Sequence, residues 1–141
     1  MRKTKNIIKW SNCTFDLNTN IAISYGWWIF LMKIGDAFIF NKYKYSVTTS
    51  RHQYKVKQYL LANLGINPKD IIAIEVPRGL QALEEAPRYY TILINILQDK
   101  IAIKSKTKAT TSLAKLQVEL DQARAELVQV NQLIKKMEKI S

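Results

Sequence analysis

The stretch IAISYGWWIFLMKIGDAFIFNKYKYSVTT, residues 21–49, decides how this chain is read. Ile21 to Ile34 and Ala37 to Thr49 are rich in β-branched and aromatic residues, a composition suited to a pleated, half-buried surface. Gly35-Asp36 separates them, and two residues with Gly first are the chemistry of a type II′ hairpin turn. Such a turn pairs Met32 with Ile39, Phe30 with Asn41 and Trp28 with Tyr43. It also pairs Leu31 with Phe40, Ile29 with Lys42 and Trp27 with Lys44. Side chains alternate along a strand, so Trp28, Phe30 and Met32 share a face with Tyr43, while Trp27, Ile29 and Leu31 share the other with Lys42 and Lys44.

Toward the C-terminus the period changes. Ser50 to Leu64 reads as a helix, with Val56, Leu60 and Leu64 at successive fourth positions. Ser50 and Gln53 have capping-box spacing, and Gly65 stands where a helix ends in a left-handed residue. A strand is expected over Ile71 to Val76, stopped by Pro77, and a short helical piece over Leu80 to Ala86 before Pro87. Tyr89 to Leu97 and Lys100 to Lys104 read as a second hairpin around Gln98-Asp99, with Ile92, Ile94 and Ile96 on one face and Ile101 and Ile103 across from them. A helix through Ile92 to Leu97 is the competing reading of this apolar run. Residues 107–112 form a polar joint.

From Leu113 the pattern is heptad. Leu113, Leu120, Leu127 and Ile134 take the a positions, and Leu116, Ala123, Val130 and Met137 the d positions. No Gly or Pro interrupts Leu113 to Ile140, a helix of about 42 Å. That length suits a coiled coil through which copies of the chain assemble. In a parallel pair Glu119 would face Arg124 of the other chain. The competing reading is an amphipathic helix folded back on its own sheet, and the off-seam Val118, Val128, Leu133 and Ile140 widen its apolar surface. The expected fold is therefore α+β: a small antiparallel sheet of two hairpins plus a strand, one short packed helix, and a long C-terminal coiled-coil helix. The expected domains are a basic α+β domain over 1–111 and an oligomerisation helix over 112–141.

Composition bounds the chemistry. The chain has 141 residues, 22 Lys+Arg against 11 Asp+Glu, one Cys and one His. One Cys excludes an intrachain disulfide framework, and a lone His leaves no Cys/His metal cluster, so no metal is expected. The longest uncharged run, Leu17 to Met32, is too short and too polar to span a membrane. Arg2, Lys3 and Lys5 resemble a signal n-region, but no apolar stretch follows before Asp16. A cytoplasmic protein with an incidental, buried Cys13 is expected.

The charge is uneven. Residues 1–111 hold 17 basic and 7 acidic side chains, and residues 112–141 hold 5 and 4. No acid lies between Asp36 and Asp70, a stretch carrying Lys42, Lys44, Arg51, Lys55, Lys57 and Lys69; a second acid-free run holds Lys100, Lys104, Lys106 and Lys108. Clustered cations favour an anionic partner through counterion release and steering. Trp27 opposite Lys44, with Tyr25 and Lys42 near, has the makings of a stacking platform for single-stranded nucleic acid. Lys42, Lys44, Arg51, Lys55, Lys57 and Trp27 are the candidate nucleic-acid contacts. The competing accounts are a lysine content set by coding bias and tryptophans used as core.

A second constellation lies at the expected start of the first helix, where free N–H groups and the positive dipole end favour an anion. Thr48, Thr49 and Ser50 would add hydroxyls, and Arg51 and His52 charge, making a phosphate site for a nucleotide. The plainer account has Ser50 capping the helix and Thr48 and Thr49 extending a strand. The string Asn41, Tyr45, Ser46, Thr48, Thr49, His52, spaced N-x-x-x-Y-S-x-T-T-x-x-H, resembles a motif of small uncharacterised bacteriophage proteins. The likeness covers residues 41–52 and implies a phage or mobile-element origin, hence a bacterial cytoplasm.

Catalysis is not expected, the minor alternative being a phosphoester activity built on His52, Arg51 and tyrosines. His52 is the one side chain with an ordinary titration near neutrality, and no triad surrounds it in the sequence. Glu84 and Glu85 are adjacent and point apart on a helix. The expected function is a non-enzymatic, oligomeric nucleic-acid-binding protein without a cofactor. The alternative is a small phage inhibitor of host defence that sequesters a nucleotide or blocks a host protein through the phosphate site.

Overall fold

The computed structural model describes residues 6–106 and 110–140. Arg2, Lys3, Lys5 and Lys108 lie outside that range. The fold is α+β, with a six-stranded, mostly antiparallel sheet and three α-helices. Packing divides it into two compact units, Met1–Leu83 and Glu84–Ser141.

The first unit is a meander. Strands β1 (Ile7–Trp10), β2 (Cys13–Asp16), β3 (Ile21–Ser24), β4 (Trp28–Ile34) and β5 (Ala37–Asn41) pair antiparallel with their sequence neighbours. The chain then crosses through helix α1 (Val47–Gln58) and returns as β6 (Ile71–Ile74), parallel to β5. A parallel neighbour needs such a crossover, and α1 supplies it.

The turn at Gly35-Asp36 forms as expected, with Gly35 at φ 61° and Met32 opposite Ile39 and Leu31 opposite Phe40. The ladder stops there. The run 21–34 is not one strand: it folds back at Tyr25-Gly26, where successive residues at φ 55° and 77° give the turn sense that matches strand twist. Trp27 thus lies in a turn rather than opposite Lys44, and Lys42 and Lys44 follow the end of β5. The register also shifts between Ala22 and Ile23, which pair with Leu31 and Ile29. Phe30 is the extra residue of this bulge, and Phe30 and Leu31 are both fully buried instead of alternating.

The core lies between the sheet and α1. Cys13, Phe15, Ala22, Trp28, Phe30, Phe38 and Phe40 pack with Val56 and Leu60. At its C-terminal end α1 widens into a π turn over Tyr59–Asn63. There the Tyr59 ring meets Trp10 and Phe15 edge-on at 6.1 and 5.9 Å. Gly65 closes the helix at φ 64°, and Ile66 N–H reaches back to Leu60 C=O. That is the expected glycine stop, lengthened by the π turn.

The second hairpin does not form. Residues 86–105 are a single helix, α2 (Ala86–Ser105), and Pro87 opens it rather than ending the preceding piece. Its inward residues Tyr90 and Leu97 recur at helical spacing. Ile92 and Ile96 also lie on one helical face, which is why alternation is a poor guide here. Helix α3 (Thr110–Ile140) packs antiparallel on α2, with Tyr90 Oη donating to Glu126 Oε1 at 2.9 Å.

Candidate functional site

The segment from the end of β5 into α1, residues 41–53, carries most of the candidate residues, and Asn41 organises it. The Asn41 carboxamide donates from Nδ2 to Val76 C=O at 2.8 Å and accepts the Val76 N–H at Oδ1 at 3.1 Å. It thereby mimics a backbone peptide and continues the β5–β6 ladder beyond the last strand residue. The same Oδ1 accepts the Tyr43 N–H, and Gln53 Nε2 donates to the carbonyls of Asn41 and Tyr43. Four hydrogen bonds therefore fix residues 41–43 against α1 and the segment that follows β6, and a fifth, from Tyr43 N–H to Asn41 Oδ1, folds the segment on itself.

This connection forms a cleft of about 570 Å³ lined by Phe40, Lys42, Tyr43, Lys44, Ser50, Gln53 and Glu75. Lys42 and Lys44 bring two cations to it, Glu75 a carboxylate, and Ser50 a hydroxyl. Lys57, two turns along α1, stands 5.7 Å from the centroid of the Phe40 ring. A groove with cations, hydroxyl and aromatic walls can take a phosphate and the apolar part of what bears it.

The helix starts four residues earlier than expected. Ser46, not Ser50, is the cap: its Oγ accepts the Thr49 N–H at 3.1 Å and donates to Thr49 Oγ1 at 3.0 Å. Ser50 lies inside the helix, its N–H bonded to Ser46 C=O. Thr48 and Thr49 are helical rather than strand residues.

Beneath this cap lies a buried polar cluster. Ser24 Oγ is 2.8 Å from His52 Nδ1 and 3.5 Å from Thr49 Oγ1, and all three residues are buried. One polarity satisfies every hydroxyl: Ser46 donates to Thr49, Thr49 to Ser24, and Ser24 to Nδ1. That order requires a neutral imidazole with its proton on Nε2. Burial holds the His52 pKa below its ordinary 6.5, and the Lys55 charge adds to the effect. The Tyr25 ring covers His52 at 5.7 Å.

The exposed aromatics gather next to this cluster. Tyr45 stacks on the buried Trp28 at 5.7 Å and 30°, and Trp27 meets Tyr45 edge-on at 5.9 Å. Tyr25, Trp27 and Tyr45 are each about half exposed. Trp28 is core, its Nε1 donating to Pro77 C=O at 3.0 Å.

The two expected constellations are thus redistributed. Lys42 and Lys44 share the cleft with Ser50. Thr49 and His52 belong to the buried cluster, while Thr48, Arg51 and Lys55 are exposed on other faces of α1. Ser24, Gln53 and Tyr45 have no place among the expected contacts, although Tyr45 belongs to the motif; Tyr25, expected near Trp27 in the stacking platform, lies in the same turn as Trp27. Of the heptad residues, Leu120, Ala123 and Val130 are buried, Leu113, Leu116, Leu127 and Ile134 are half-buried, and Met137 is exposed.

Among the described residues no three His, Cys, Asp or Glu side chains gather to hold a metal ion, and no helix is long and apolar enough to cross a membrane. No family model matches the chain, and no curated protein and no solved structure matches it. The functional reading therefore rests on this chain's own residues.

Proposed function

We propose that the protein is a non-enzymatic, single-strand nucleic-acid-binding protein whose contact surface is the 42–45 connection and its flanks. The observation that carries this reading is the alternation Lys42-Tyr43-Lys44-Tyr45: its lysines line the cleft, and Tyr45 leads to the half-exposed Trp27. Cations for the backbone and exposed aromatic side chains for bases are the two elements of single-strand recognition. The first unit also carries 12 basic against 4 acidic side chains, a field that attracts a polyanion. Lys57 extends the basic surface along α1, and Arg51 and Lys55 add charge on its other faces. The motif resemblance fits a phage-borne protein acting in a bacterial cytoplasm.

Fluorescence anisotropy with a labelled single-stranded oligonucleotide tests this. Binding should weaken steeply with salt, and removing Lys42 or Lys44 should each flatten the log–log slope by about 0.7. Trp27→Ala should cost about 1–3 kcal/mol of binding if the indole stacks on a base. An absence of binding at low salt overturns the reading.

A second reading is favoured by the cleft's size, which falls within the roughly 300–1,000 Å³ of small-ligand sites. In it the cleft, with Ser50 at its wall, sequesters a phosphorylated small ligand. Stabilisation by mononucleotides in a thermal-shift series, with a mild salt response, would distinguish it.

A further inference from the structure

Helix α2 is apolar on two opposite sides. One side, with Tyr90 and Leu97, is buried. The other carries Ile92, Ile96 and Ile103, which remain 50%, 46% and 64% exposed. A helix in a two-helix hairpin needs one apolar face, and a second one calls for another partner. The spacing on this outer face is specific. Tyr89, Ile92, Ile96, Asp99 and Ile103 succeed one another by three and four residues, the rhythm of a coiled-coil seam.

We propose that the outer face of α2 is a homodimer interface, on which a second copy of this chain lies antiparallel about a two-fold axis at Ile96. Three features select that occupant. A two-fold at Ile96 sets this residue against itself and lays Ile103 over Tyr89 of the second copy, so apolar side chains meet at the centre and at both ends of the seam, with Asp99 and Lys100 between them. Beside Ile103 is a groove of about 450 Å³, walled by Lys100, Lys104, Lys115 and Leu116. It receives the second copy's Tyr89 ring at each end of the interface. The charges follow the same direction. Glu84 and Glu85 directly precede α2 and are offset only by Arg88, whereas Lys100, Lys104 and Lys106 at its end are offset only by Asp99. Antiparallel copies bring the acidic start against the basic end, and parallel copies bring like against like.

The interface differs from the heptad face of α3, which includes the buried Leu120 and Ala123. It is independent of nucleic-acid binding, so either proposal can fail alone. It would give the assembly two copies of the 42–45 connection.

Light scattering and sedimentation velocity on the full chain test it. The wild type should be a dimer at micromolar concentration. Ile96→Glu, which sets two carboxylates together at the axis, should weaken dimerisation by at least about 100-fold. Ile96→Cys should form an intermolecular disulfide on mild oxidation, and a mixture of Tyr89→Cys and Ile103→Cys chains should cross-link to each other more readily than either does to itself. A monomeric wild type, or a dimer that is indifferent to Ile96→Glu and that Ile96→Cys fails to trap, overturns the proposal. A dimer trapped by the disulfide of Ile96→Cys supports it even if the glutamate variant fails to fold.

Discussion

Ser24 and His52, 28 positions apart, meet at 2.8 Å between Oγ and Nδ1 where the end of β3 passes under α1. This contact joins the Tyr25-Gly26 turn to the helix that carries Ser50 and Lys57. The turn bears Trp27, so this buried pair, with the Tyr25–His52 ring contact beside it, couples the aromatic surface to the basic one. Its strength depends on the protonation of the one histidine in the chain.

That dependence has a sign. The unfolded chain titrates His52 near 6.5, whereas the folded state holds it lower. Below pH 6.5 the unfolded state therefore binds more protons, and stability falls as the pH drops toward the folded value. Above about pH 7 the contribution is fully present. Urea midpoints should fall between about pH 7.5 and 5.5 in the wild type and fall less in His52→Gln. Equal declines in the two proteins would assign the pH dependence elsewhere.

Asn41 offers a larger effect, because its amide replaces a piece of ladder. Asn41→Ala removes its bonds to Val76 N–H, Val76 C=O and Tyr43 N–H. Deprived buried groups cost about 1–3 kcal/mol each before relaxation, so a net loss of about 3 kcal/mol is expected. Asn41→Asp keeps an acceptor for the two N–H groups but turns an oxygen toward Val76 C=O, so it should not rescue. Denaturant unfolding of both variants checks this, and a loss under about 1 kcal/mol in Asn41→Ala would show that water replaces the amide.

These two residues mark what the sequence discloses. Glycine punctuation is local chemistry, so the Gly35-Asp36 turn, the Gly65 stop and the start of β6 at Ile71 can be read directly. β1 and β2 are four-residue strands between polar turns, too short to display a period. The fold-back at Tyr25 is hidden because a tyrosine occupies a left-handed position where glycine or asparagine is usual. α2 mimics a hairpin because a helix apolar on two sides offers alternating isoleucines. Lys42, Lys44 and Ser50 are legible as neighbours in a basic segment. Ser24 is not, since nothing near it in sequence announces a partner on α1. The cap at Ser46 escapes a sequence reading for a simpler reason: β5 ends at Asn41, leaving room for the helix to begin sooner.

Cys13 should be chemically silent in the folded protein. Burial pushes its thiol up to about 12, against a smaller opposing pull from Lys55. Little thiolate exists at neutral pH, and the residue is fully covered. An aromatic disulfide reagent should titrate no thiol in native protein and one in urea. Rapid native labelling would show that the sheet opens around β2 well below the global unfolding free energy.

Tyr25 tests whether the aromatic surface is kept at a cost. A left-handed backbone costs a non-glycine residue about 1 kcal/mol, and Tyr25 holds φ 55° while its ring stays half exposed. Asparagine tolerates that conformation and is favoured before glycine in such turns. Tyr25→Asn should therefore gain about what it loses in the ring contact with His52, itself about 0.5–1.5 kcal/mol. The expected result is an unfolding midpoint close to wild type together with several-fold weaker oligonucleotide binding. A strongly destabilised variant would make Tyr25 a structural cover for His52. Unchanged binding would remove it from the contact surface and leave Trp27 and Tyr45 to supply the stacking faces.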